Sequence, residues 1–338
     1  MLADHTSLLA GGLAHSADMT RFGAVAALLP RFCHAGFECP LGDDEPGLDF
    51  LHCLRRTEES RYLVDSPRAD VIWRRLRRFG TLWRTGGTAL DRIPNCWLEF
   101  DLRRQHTTDA PAPSLFVHVP ATSPAEYDAA VEQVGAALQM ARSPATRAAM
   151  IRLYETFGPY SSGCETGFWL ARRTPAIRMV FMKIQAPPDG VMELLERAGH
   201  PDPAIVRRTP VPGLWPSSGC TAIGVDVTER VAPGCSVELY PLPPDRAFTD
   251  DVYVEVQRRL LEDVVAAGLC TAGKYARVMR WPAIVSQGHD ADRRAEIWLR
   301  RAVHVKLTVK PEQPVSAKGY LSLSGLAVTR ERPVHAST

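Results

Sequence analysis

The chain has 338 residues, 45% of them hydrophobic and 23% charged, with a formal charge of +2. That is the composition of a soluble globular protein with length enough for one large core or two ordinary ones. The formal charge does not by itself suggest nucleic acid or an anionic membrane, and neither is expected as a partner.

The N-terminus lacks a basic n-region, and the apolar run after it is broken by His15, Asp18 and Arg21. Neither a signal peptide nor a membrane span is expected. Eight cysteines without such a signal read as thiols of a reducing compartment, with the cytoplasm as the default location. Cys33, His34, Cys39, His52 and Cys53 cluster in sequence but contain no C-x-x-C pair, so no metal is assigned to them.

Residues 16–29 have helical periodicity, with Ser16 as cap and Pro30 as terminator. Residues 39–47 carry loop chemistry, and 48–54 and 61–64 read as two short strands around a polar turn. Ser66 and Pro67 open a helix whose body places Ile72, Leu76 and Phe79 opposite Arg74, Arg75, Arg77 and Arg78. The arginines form either a solvated face or a contact for an acidic peptide or phosphate.

Residues 96–102 and 114–119 then alternate with period two. Leu98, Phe100 and Leu102 oppose Trp97, Glu99 and Asp101, while Leu115, Val117 and Val119 oppose Ser114, Phe116 and His118. Two helices follow, at 123–140 and 143–157, each opened by Ser-Pro. The pattern recurs. Strands at 161–170 and 177–184 precede helices at 189–198 and 202–208, and Arg178 can face either side. Strands at 217–227 and 235–240, joined across Pro233 and Gly234, precede helices at 249–267 and around 291–301.

The last hairpin has the cleanest alternation. Val303, Val305, Leu307 and Val309 share one face, with His304, Lys306, Thr308 and Lys310 on the other. Across a loop at 311–314, Ala317, Gly319, Leu321 and Leu323 oppose Lys318, Tyr320, Ser322 and Ser324. Ser236, Glu238 and Tyr240 likewise share a polar face.

A unit of hairpin plus helices, given three or four times, implies parts that bury their apolar faces only together. The fold class is therefore α+β: an antiparallel β-barrel or strongly curved sheet covered by outer helices. The closed form is preferred, because Trp97, Phe116 and Tyr240 are costly on an open face and closure removes the edges. Residues 1–47 form an N-terminal extension, 48–325 the repeated domain, and 326–338 a flexible tail.

This arrangement resembles the antiparallel (ABBA-type) barrel prenyltransferases, built from repeated ααββ units around a lumen. The resemblance covers roughly residues 48–325. It implies an enzyme that moves a dimethylallyl or geranyl group from its diphosphate to an aromatic or peptide acceptor in natural-product biosynthesis. It also implies a diphosphate site from Arg178, Lys306, Lys318, Tyr320 and Tyr240, with Glu99 holding the acceptor and serving as catalytic base; His118 and His304 are alternative bases. Trp97 and Phe116 would hold the acceptor. No motif supports magnesium, and no cofactor is assigned.

The individual residues also admit a bland role: Glu99 with Lys306 as a cross-strand pair, His118 and His304 as structural histidines, Lys318 and Tyr320 on a solvated strand. Two other functions stay open. One is a condensing or cyclising enzyme with Glu99 as general acid and base, which would not need the lysines; the other is a non-catalytic peptide-binding protein. No Walker loop, G-x-G-x-x-G, G-x-S-x-G or H-E-x-x-H stands in a suitable context.

Overall fold

In the computed structural model of the chain, residues 12–29, 34–56, 59–66, 68–103, 111–170, 176–207, 210–218, 220–241, 250–289 and 294–329 are described. Expectations for the extreme N-terminus, Cys33, Pro67 and residues 330–338 of the tail lie outside these residues, while 326–329, read as tail, belong to the last strand.

Alternation along the strands builds a barrel. Its strands are β1 (His34–Pro40), β2 (Asp49–Arg55), β3 (Asn95–Phe100), β4 (Ser114–Val119), β5 (Gly163–Phe168), β6 (Ile177–Ile184), β7 (Cys220–Val227), β8 (Val231–Tyr240), β10 (Arg294–Val309) and β11 (Ser316–Thr329). Every neighbouring pair is antiparallel, β8 pairs with β10, and β11 pairs with both β10 and β1, which closes the ring at ten strands. The remaining strand, β9 (Ala283–His289), pairs with the first half of β10. Closure leaves no long edge among the ten strands.

Helices lie outside: α1 (Ser16–Ala26), the single turn α2 (Arg61–Val64), α3 (Val71–Thr85), α4 (Pro124–Ala137), α5 (Pro144–Phe157), α6 (Pro188–Arg197), the turn α7 (Val211–Leu214), α8 (Asp250–Ala266) and α9 (Ala272–Val278). The hydrophobic core is the shell between them and the outward strand faces. Phe22 of α1 packs edge-on to Phe37 and Phe50 at 5.6 and 4.8 Å. Phe157 of α5 stacks on Phe181 of β6 at 4.8 Å, and the Tyr127 hydroxyl meets Thr166 Oγ1 at 2.9 Å. Each fully buried ring of this kind contributes roughly 1.5–3 kcal/mol. The Ser-Pro helix starts form as expected: the Ser123 and Ser143 side chains accept from the amides of Glu126 and Thr146.

Several local expectations are corrected. β1 forms within the stretch read as an N-terminal extension, so the barrel begins at His34. Residues 61–64 are a helical turn, and α3 starts at Val71 under Asp70, whose carboxylate accepts from Ile72 N and Trp73 N. His15, not Ser16, caps α1. The β7–β8 turn lies at 228–230, with Pro233 and Gly234 already inside β8. Residues 294–301, read as helix, belong to β10, because cross-strand pairing on both sides outweighs their helix-forming composition. A register shift between Ala302 and His304 turns Val303 toward the interior.

Candidate active site in the lumen

The inward strand positions enclose a cavity of about 220 Å3. Seven of the nine residues singled out from sequence line it: Trp97, Glu99, Phe116, Arg178, Tyr240, Lys306 and Tyr320. Lys318 and His118 do not, although both lie on inward-facing positions. The Lys318 ammonium donates to Glu38 Oε2 at 2.5 Å and to Asp49 Oδ2 at 3.4 Å. The His118 ring lies over Gly163, where an added Cβ would stand 2.6 Å from its Cε1.

Arg178 faces inward, settling its side of β6; Met179 and Phe181 are buried in the outer shell. Its guanidinium donates to Ser236 Oγ at 2.5 Å and to Asp226 Oδ1 at 3.2 Å. Gly224 makes room for this meeting, since a Cβ there would collide with Ser236 Oγ. Trp169 completes the corner, 6.0 Å from the guanidinium and edge-on to Phe116 at 5.2 Å.

Lys306 is the central cation. It donates to the Tyr320 hydroxyl at 2.9 Å, with Glu38 and Glu238 at 3.8 and 3.9 Å. Beside it the His304 ring is held between Tyr320 (4.0 Å, 21°) and Tyr240 (4.5 Å, 31°). The Tyr240 hydroxyl donates to Glu238 Oε2 at 3.0 Å.

Across the lumen stand Trp97, edge-on to His34 at 5.0 Å, and Glu99. Burial and the nearby charge of Glu38 push the Glu99 carboxyl up to about 7, against the pull of Lys306 and Lys318. Burial and Glu238 likewise raise Glu165 to about 7. Glu38 goes the other way: burial opposes its charge, but Lys318 and Lys306 prevail and hold it at about 2. Burial lowers His304 to about 4 and also lowers His118.

Sequence reasoning assigns no role to Glu38, Asp49 or Glu165. Glu165 shares a face with Gly163 and Gly167 by simple alternation, a signal available once β5 is read. Glu38 lies in β1, a stretch whose sequence pattern does not announce a strand. These carboxylates change the chemistry, because Lys318 is consumed by them while Lys306 keeps longer, looser ion contacts.

No family model matches the chain, and no curated protein matches it in sequence. Among solved structures it is similar to prenyltransferase PriB in its binary complex with product diphosphate, at 14% identity over 94% of each chain and a TM-score of 0.51. It is also similar to the apo form of PriB, at 15% identity over 94% of each chain and a TM-score of 0.50. A 5-dimethylallyltryptophan synthase from Streptomyces coelicolor matches at 12% identity over 93% of this chain and 94% of that one, with a TM-score of 0.46. At these identities the PriB likeness is one of fold alone, the closed antiparallel barrel covered by helices.

Proposed function

From a fold shared with prenyltransferases, we propose that this chain transfers an allylic group from its diphosphate to an aromatic acceptor, free or within a peptide, in natural-product biosynthesis. The observation that carries the proposal is the meeting, in one lumen cavity, of the Lys306–Tyr320 pair and an aromatic wall bearing Glu99.

Ionising an allylic diphosphate needs positive charge where the leaving group develops negative charge. Lys306 supplies it, with the Tyr320 hydroxyl as a further donor and Arg178 at the far corner; the Tyr240 hydrogen is engaged by Glu238. Lys318 serves indirectly, by keeping Glu38 ionised and paired. Glu99 accepts the proton released after the acceptor attacks: near neutral pH it is divided between carboxylate and acid, as a general base should be. Trp97 and Phe116 hold the acceptor ring between them and Glu99.

The cavity of about 220 Å3 is smaller than the roughly 300 Å3 at which typical small-molecule sites begin. Turnover with each decides between the five-carbon and the ten-carbon donor. The test is turnover: full-length protein with dimethylallyl or geranyl diphosphate and a panel of indoles, phenols and aromatic peptides, with and without magnesium, read by mass spectrometry. Addition of one dimethylallyl unit that disappears in Lys306→Met supports the proposal. Glu99-dependent product formation that persists in Lys306→Met replaces it with the condensing enzyme.

A further inference from the structure

The charges lining the cavity are unevenly matched. Its two non-histidine cations are already engaged, Arg178 by Asp226 and Ser236, Lys306 by Glu38, Glu238 and the Tyr320 hydroxyl. Three carboxylates face the same space, Glu99, Glu165 and Glu238. Among the described residues the Glu165 carboxylate makes no hydrogen bond or ion pair. A second observation points to a missing donor: neither ring nitrogen of His304 is hydrogen-bonded, although its side chain is only 9% exposed and lines the cavity. Its Nε2 lies 3.4 Å from Glu238 Oε2, and the two tyrosine rings fix its plane.

A half-buried carboxylate without an ion pair, lining the same cavity as an imidazole without a hydrogen bond, is matched by a group that brings both positive charge and N–H bonds. We propose that Glu165, Glu238 and His304 bind a nitrogen cation, an ammonium or guanidinium, carried by the aromatic acceptor. This deepens the transferase proposal and rests on it for the word acceptor. The aromatic ring would lie against Trp97 and Phe116, with the cation reaching across to β5, β8 and β10.

The assignment has a pH signature. Glu165 is faced by Glu238 from β8 and Lys306 from β10, with His118 as its register partner on β4. A cation binds its ionised form, so affinity rises as pH increases through about 7 and binding below that releases a proton.

The experiment is equilibrium titration of the full chain with three indoles of similar size: tryptamine (cationic), 3-ethylindole (neutral) and indole-3-propionate (anionic). At a pH near 8, tryptamine is expected to bind about tenfold or more tighter than 3-ethylindole, with indole-3-propionate weakest. In Glu165→Gln the tryptamine to 3-ethylindole ratio falls toward one; His304→Phe, which keeps the ring stack and removes both nitrogens, reduces it too. Equal binding of tryptamine and 3-ethylindole by the wild type, or an unchanged ratio in Glu165→Gln, overturns the cation site. A parallel titration with dimethylallyl thiolodiphosphate separates the two proposals: its failure with the tryptamine preference intact removes the transferase and leaves the cation site standing.

Discussion

Replacing Glu99 by glutamine makes a quantitative test of the lumen electrostatics. The Glu99 carboxyl rises from an ordinary 4.5 to about 7, chiefly through burial and the charge of Glu38. At about 1.4 kcal/mol per tenfold change in equilibrium, that displacement corresponds to about 3 kcal/mol. The direction follows from linkage. Below about 4.5 both folded and unfolded chains carry the neutral acid, and nothing is lost. Between 4.5 and about 7 the unfolded chain releases the proton and the folded chain keeps it, so stability falls as pH rises. Above about 7 the full deficit is present. The amide of the Glu99→Gln variant does not titrate, and its altered packing is the same at every pH. Urea unfolding of wild type and Glu99→Gln at about pH 4 and about pH 8 should therefore show the variant gaining about 3 kcal/mol relative to wild type between the two conditions. A difference between the proteins that is the same at both pH values refutes the raised carboxyl.

Three other outcomes follow from the packing. Lys318→Met leaves Glu38, 1% exposed, without its closest cation, and should destabilise the protein by about 3–5 kcal/mol, with much of the loss recovered in the Glu38→Gln/Lys318→Met double variant; thermal unfolding reads both. Gly167→Ala drives a Cβ into Phe116 Cε1 and forces that ring away from Trp169, so indole affinity should drop while diphosphate affinity is kept, as two separate titrations would show. Ser123→Ala removes the cap of α4 and should cost about 1 kcal/mol in urea unfolding without changing ligand binding.

The parts of this molecule legible in sequence are those whose local pattern and tertiary role agree. β10 beyond Ala302 and β11 alternate cleanly, so the pattern by itself places His304, Lys306 and Tyr320 on one face of their hairpin. The Ser-Pro starts of α4 and α5 have a mechanism that needs no tertiary partner. The misread elements are those where tertiary pairing overrides local preference. Residues 294–301 contain good helix formers but are held by β9 and β11 on either side. β1 contains Gly36 and ends at Pro40, which gives it the look of loop chemistry. The site is harder to read for the same reason. Lys306 and Lys318 look equivalent in sequence, yet Glu38 and Asp49, brought from β1 and β2, bind one tightly and leave the other facing the cavity.

The central claim, that Lys306 makes the lumen an anion site for an allylic diphosphate, is met most directly by calorimetric titration of the full chain with dimethylallyl thiolodiphosphate, wild type against Lys306→Met. A charge-assisted contact of this kind is worth about 1.5–3 kcal/mol. Saturable binding that weakens by about ten- to hundredfold in the variant is the expected result. Absence of binding to the wild type, or equal affinity in both proteins, contradicts the claim.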